Sequence, residues 1–289
     1  MANFADCTWT SSDGLKLHYR DYPARDPGGT GRPPVLCLPG LTRNARDFEG
    51  LAEHLSQEWR VLCPDMRGRG DSDYARDSAT YNPMQYVQDV AALLEQAQIE
   101  RIVVVGTSLG GLMTMVMALT MGQQLAGAVL NDIGPVIEET GLERIRSYVG
   151  QGRSFATWMH AARALAETQQ AAFPHFEIAD WLVMAKRVMV LGSNGRVVFD
   201  YDMKIAEPFA SAEGAGQVDM WPGVSALAEK PVLLLRGELS DVLSAETLGA
   251  MHERLPQAEV VTVAGVGHAP TLDEPEARAA ICRLLARVG

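Results

Sequence analysis

Arg101-Ile102-Val103-Val104-Val105-Gly106-Thr107-Ser108-Leu109-Gly110-Gly111, running on as LMTMVMALTM to Met121, is the stretch that decides the fold. Residues 101–105 form a β-branched run short enough to be a buried strand. Gly106-Thr107-Ser108-Leu109-Gly110 follows without a spacer, and residues 111–121 favour a helix with no proline to stop it. A strand, a sharp turn with serine at its apex and a helix form the context in which G-x-S-x-G presents a nucleophile. Gly106 and Gly110 let strand and helix pass close together. The turn lifts Ser108 Oγ clear of the sheet and aims the Leu109 amide at whatever the serine attacks. Chance alone gives about 0.1 matches to this pattern in a chain of this composition. The plain alternative is a glycine-rich turn with a helix-capping serine, so the rest of the chain must supply a base and an acid.

Working outward, residues 7–22 read as a hairpin around Asp13-Gly14, and 25–34 as a solvated loop. Val35-Leu36-Cys37-Leu38 is a short buried strand ending at Pro39-Gly40-Leu41. A helix is expected over about 46–57, a strand over 59–63, and a glycine-rich loop over 64–72. Asn82-Pro83 opens the next helix as cap and first residue, and 125–130 is a strand. Strand and helix alternating through short connections predicts an α/β protein with a doubly wound, mostly parallel sheet. The alternation breaks at Asn131-Asp132-Ile133-Gly134-Pro135. Helical stretches follow at 154–172 and 177–190, and strands resume at 231–235 and 259–263 before a last helix from about Pro275. The reading is one sheet domain in two pieces, 1–134 and 223–289, with a helical cap over 135–222.

Composition narrows the partners. A net charge of -11 over 289 residues argues against nucleic acid, since nothing here neutralises phosphates. The first residues, MANFADCTWTSSDG, lack the basic and apolar regions of a signal peptide. No apolar run reaches the length of a membrane span. Cys7, Cys37, Cys63 and Cys282 are scattered without a C-x-x-C pair, as expected of reduced thiols in a cytoplasmic protein. There is no H-E-x-x-H or paired Cys/His spacing for a metal and no G-x-G-x-x-G for a dinucleotide. The expectation is a cytoplasmic protein acting on a small molecule, with no cofactor, metal, nucleic acid or membrane partner.

A serine hydroxyl needs a base within hydrogen-bond reach, itself oriented by a carboxylate. Of six histidines, His18, His54 and His252 fall on the hairpin or on helices, and His160 and His175 in the insertion. His268 sits in Gly265-Val266-Gly267-His268-Ala269-Pro270, just past the last strand, on the sheet edge where active sites are built. For the acid, Asp241 follows the strand at 231–235 and completes the order Ser108, Asp241, His268. Asp132, after the preceding strand, is the main competitor and reads as a turn or capping aspartate. Glu238 is a weaker rival.

These segments resemble the α/β-hydrolase superfamily with an inserted cap and a serine nucleophile, of the esterase or lactonase kind. The resemblance rests on Leu38-Pro39-Gly40-Leu41, Asp65-Met66-Arg67-Gly68-Arg69-Gly70-Asp71-Ser72, the Ser108 turn, Asp241 and Gly267-His268. It implies that the Leu41 amide joins that of Leu109 in an oxyanion hole. Many relatives carry histidine where this chain has Pro39, but the hole uses main-chain groups. It also implies hydrolysis of a small carboxylic ester or lactone through an acyl-enzyme, with Ser108, His268 and Asp241 as the triad. Two other readings stay open: a carbon–carbon bond hydrolase of ring-fission diketones, and a non-catalytic ligand-binding member. Arg43, which could bind a carboxylate, and Trp158, Met159 and Tyr201 in the insertion are the candidate substrate contacts.

Overall fold

The computed structural model describes residues 3–26, 31–211 and 218–288; residues 27–30 of the loop expected at 25–34 lie outside it. In chain order the first half contains β1 (Ala5–Thr10), β2 (Lys16–Tyr22), β3 (Val35–Leu38), α1 (Glu49–Leu55), β4 (Val61–Asp65), α2 (Pro83–Gln96), β5 (Ile102–Thr107), α3 (Leu109–Met121) and β6 (Leu125–Asn131). An insertion follows: α4 (Glu139–Tyr148), β7 (Ser154–Phe155), α5 (Trp158–Gln169), α6 (Ile178–Val188), β8 (Met189–Leu191), β9 (Val197–Phe199) and α7 (Ala206–Ser211). The chain then returns through α8 (Trp221–Ser225), β10 (Val232–Gly237), α9 (Ala245–Arg254), β11 (Glu259–Val263) and α10 (Pro275–Ala286).

The main sheet runs β1-β2-β4-β3-β5-β6-β10-β11. The six strands from β4 to β11 are parallel, and the β1–β2 hairpin closes one edge antiparallel to β4. Both faces of the parallel part are covered. Val103 and Val105 of β5 pack into the layer with α1 and α10. Ile102 and Val104 face the layer with α2, α3 and α9. That two-sided burial is why β5 is a continuous Val/Ile run rather than an alternating one.

The insertion, expected to be mostly helical, also contains strands. Its strands form a small antiparallel sheet in the order β7-β9-β8, and Gly192-Ser193-Asn194-Gly195 closes the β8–β9 hairpin. Gly195 takes φ +74° there, a turn position that favours glycine. These strands are two or three residues long, too short for an alternation to stand out. Helix α4, with Leu142, Ile145 and Val149 at helical spacing, was also not anticipated. Among the described residues no helix is long and apolar enough to cross a membrane.

Candidate active site

The parallel strands β3, β5, β6, β10 and β11 all end at one edge, and each contributes a turn to the site. After β5, Ser108 adopts φ 52°, ψ -114°, a conformation that costs a non-glycine residue roughly 1–3 kcal/mol. The neighbours enforce it. Ser108 N–H donates to Asn131 O (3.0 Å), and Ser108 O accepts from Gly111 N–H (2.8 Å). A Cβ on Gly106 would strike the Gly110 carbonyl, and one on Gly110 would strike that of Leu38. Both glycines are therefore required by the close approach of strand and helix.

His268 Nε2 lies 2.8 Å from Ser108 Oγ, and its Nδ1 lies 2.7 Å from Asp132 Oδ2. Asp132 is fully buried at the end of β6. Its Oδ1 accepts from Gly237 N–H and its Oδ2 also accepts from Ser240 Oγ, both at 2.7 Å. The carboxylate is thus held by three donors before any substrate arrives. With Nδ1–H given to Asp132, the lone pair on Nε2 faces the serine hydroxyl.

This corrects the acid expected from sequence. Asp241 does not touch His268. Its carboxylate takes a bidentate ion pair from Arg144 of α4, with Nε at 2.5 Å and Nη2 at 2.8 Å. Burial would raise the Asp241 pKa, but the Arg144 guanidinium outweighs it and holds the carboxyl below its ordinary value. The turn after β10 presents Gly237 and Ser240 inward to serve Asp132 and turns Asp241 out toward the insertion. Glu238 is elsewhere too, accepting from Gly265 N–H at 2.8 Å.

The turn after β3 carries the second amide. Gly40 O accepts from Arg43 N–H (3.1 Å). A planar trans peptide therefore points the Leu41 N–H the opposite way. Leu41 O is gripped by Arg69 Nε (2.9 Å) and Nη2 (2.7 Å), which fixes the turn from its other side. Leu109 is the first residue of α3, so its N–H points out of the helix start beside Ser108.

A cavity of about 180 Å³ opens onto Ser108 and His268. Its wall includes Arg43 and Tyr201, two of the residues expected to contact substrate, but neither Trp158 nor Met159. Those two begin α5; Met159 is exposed and Trp158 packs on the layer beneath. The same helix instead lines the cavity one to three turns later with Ala164, Leu165, Thr168 and Gln169. Arg144 and Tyr148 of α4 also line it.

Away from this cavity, His18, Asp65 and Asp71 bring ligand atoms within 4.8 Å of one another. His18 Nδ1 already faces Asp65 (2.7 Å) and Nε2 faces Asp6 (3.0 Å). An imidazole placed between two carboxylates has no lone pair left for a metal, so the cluster reads as an ion-paired strap between β1, β2 and β4.

Comparison with known proteins agrees with this architecture. Residues 33–275 match the alpha/beta hydrolase fold family. A 3-hydroxybutyrate-oligomer hydrolase from Cupriavidus necator is 36% identical over 256 residues, covering 86% of this chain and 87% of that protein. A 2-(acetamidomethylene)succinate hydrolase from Mesorhizobium japonicum is 27% identical, with 86% and 85% covered. A crystal structure of an alpha/beta hydrolase from Novosphingobium aromaticivorans superposes over all of both chains with TM-score 0.94 and 63% identity. The chain belongs to the alpha/beta hydrolase fold family.

Proposed function

We propose that this protein is a serine hydrolase that cleaves a small carboxylic ester or lactone through an acyl-enzyme. The observation that carries the reading is the continuous chain from Ser108 Oγ through His268 to buried Asp132, with bonds of 2.8 and 2.7 Å. His268 Nε2 takes the hydroxyl proton as Ser108 Oγ bonds to the substrate carbonyl carbon. Asp132 holds the imidazole tautomer and balances the imidazolium that forms. The oxyanion is met by the Leu41 and Leu109 amides, each donor of this kind being worth about 2.7–4 kcal/mol. His268 then returns the proton to the departing alcohol, the ester C–O bond breaks, and water activated by the same nitrogen resolves the acyl-enzyme. No cofactor is needed for any of these steps.

The insertion acts as the cap in this proposal. Arg46 joins Asp200 at 2.6 Å, and Arg187 joins Asp273 at 2.7 Å, so residues of the insertion are clamped to the main domain by two ion pairs. The ester assignment is also supported by the relative that is a 3-hydroxybutyrate-oligomer hydrolase, since hydroxy acids oligomerise through ester bonds.

The experiment offers purified protein a p-nitrophenyl acetate and butyrate series, lactones, and a 2-hydroxy-6-oxo-dienoate. Ester or lactone turnover that disappears in Ser108→Ala is the expected result. A dienoate kcat/KM a hundredfold above every ester and lactone would replace the ester reading with carbon–carbon cleavage. No turnover of any of them would favour a ligand-binding role.

A further inference from the structure

The cavity is basic although the protein is acidic. Among the described residues its wall carries Arg43, Arg144, Arg153 and Arg187 against a single carboxylate, Asp47, in a chain of net charge -11. The carboxylates that pair with Arg144 and Arg187 (Asp241 and Asp273) are not part of the wall.

Two of these arginines are built as fixed donors. Arg43 gives Nε and Nη2 to Asp47, at 2.5 and 2.8 Å. Arg144 gives the same two nitrogens to Asp241. In each case one edge of the guanidinium is anchored by a bidentate pair, and Nη1 lies outside that pair. Anchoring removes rotamer entropy that a binding site would otherwise lose on meeting its ligand. Arg43 is also close to the reacting centre: a Cβ on Gly40 would sit 3.3 Å from Arg43 Cγ and 3.8 Å from Ser108 Cβ.

Tyr148 links the two. Burial raises its phenol pKa, while Arg144 and Arg43 both act on it in the opposite sense, Arg144 through a side-chain hydrogen bond. Arg43, Arg144 and Tyr148 line the same cavity, and burial keeps the Tyr148 hydroxyl protonated and able to donate. Guanidinium and phenol donors gathered on an enclosed wall match a planar anion with several acceptor sites.

We infer that Arg43, Arg144 and Tyr148 form a carboxylate-binding subsite beside Ser108, so that the ester taken here carries a free carboxylate. This rests on the ester reading above for the identity of the reaction, but the subsite itself is a matter of binding. A neutral ester offers these donors no anionic acceptor, and that difference is the discrimination.

The test measures binding to the Ser108→Ala protein by titration calorimetry, so that turnover plays no part. Two probes are each compared with their neutral carboxamide twin: 3-acetoxybutyrate, with the charge on the alcohol side, and the mono-p-nitrophenyl ester of adipic acid, with the charge on the acyl side. At least one acid is expected to bind ten-fold or more tighter than its amide. That ratio should fall toward one when Arg43→Met or Arg144→Met is added, with circular dichroism checking each fold. Arg43→Met leaves the Arg144–Asp241 pair in place, which separates a binding loss from a disturbed insertion. Acid-to-amide ratios within threefold of one for both probes, or a ratio that survives both arginine substitutions, would overturn the subsite. Failure of wild-type protein to hydrolyse any ester would overturn the reaction and leave the binding result to stand separately.

Discussion

Asp132 Oδ2 and His268 Nδ1 lie 2.7 Å apart although 136 residues separate them in sequence. Asp241, closer in sequence and on the neighbouring strand end, spends its carboxylate on Arg144. Asp132→Asn should therefore lower kcat by on the order of 10⁴-fold, because the amide no longer enforces the tautomer that leaves Nε2 free. Asp241→Asn should cost far less and should act on the binding of substrate more than on kcat. Steady-state kinetics of the two variants checks this, and the reverse ranking in kcat would move the acid to Asp241.

Ser108→Ala and His268→Ala should each reduce kcat by several orders of magnitude while the thermal unfolding transition is retained. Groups acting as one unit lose nearly everything singly. The double variant should thus be scarcely worse than either single one; losses that multiply would separate the two residues.

Gly110→Ala should prevent stable folding rather than merely slow catalysis. Its Cβ would press on the backbone carbonyl of Leu38, which cannot rotate away as a side chain would. The cost should exceed the roughly 1–3 kcal/mol typical of overpacking. Soluble yield and urea unfolding read it. A protein of wild-type stability would mean that α3 and β3 are further apart than described.

His18 supplies a pH dependence of stability. Burial acts to lower its pKa, but the carboxylates of Asp65 and Asp6, with Asp71 nearby, raise it above the ordinary 6.5. The folded state thus holds the proton more tightly than the unfolded chain. The stabilisation is complete below pH 6.5 and fades as pH rises through the folded-state value. Urea midpoints of wild type and His18→Gln should therefore converge as pH is raised from 6 to 9. A gap that stays constant or widens would remove the imidazolium from the account.

Most of the architecture was legible in the sequence because its signals are local. The short apolar runs at 35–38, 102–105, 125–130 and 232–235 mark buried parallel strands, and Asn82-Pro83 marks a helix start, the side chain of Asn82 capping α2. Ser108 and His268 were legible for the same reason, each being set in a glycine-bearing turn directly after a strand. The three-stranded sheet of the insertion was not, since strands of two or three residues carry no period.

What the sequence by itself determined is the strand order of chemistry: a serine after one strand, a histidine after the last, and two aspartates after the strands between, all at one sheet edge. Which aspartate meets the imidazole was decided only in three dimensions. The two sit on adjacent strands, and their roles turn on a few ångströms of loop path. Ser240 and Gly237 donate to Asp132, and Arg144, on a helix the sequence did not reveal, holds Asp241. Hydrogen bonds between turns so distant in sequence leave no periodic trace along the chain, so only the folded structure could assign the acid.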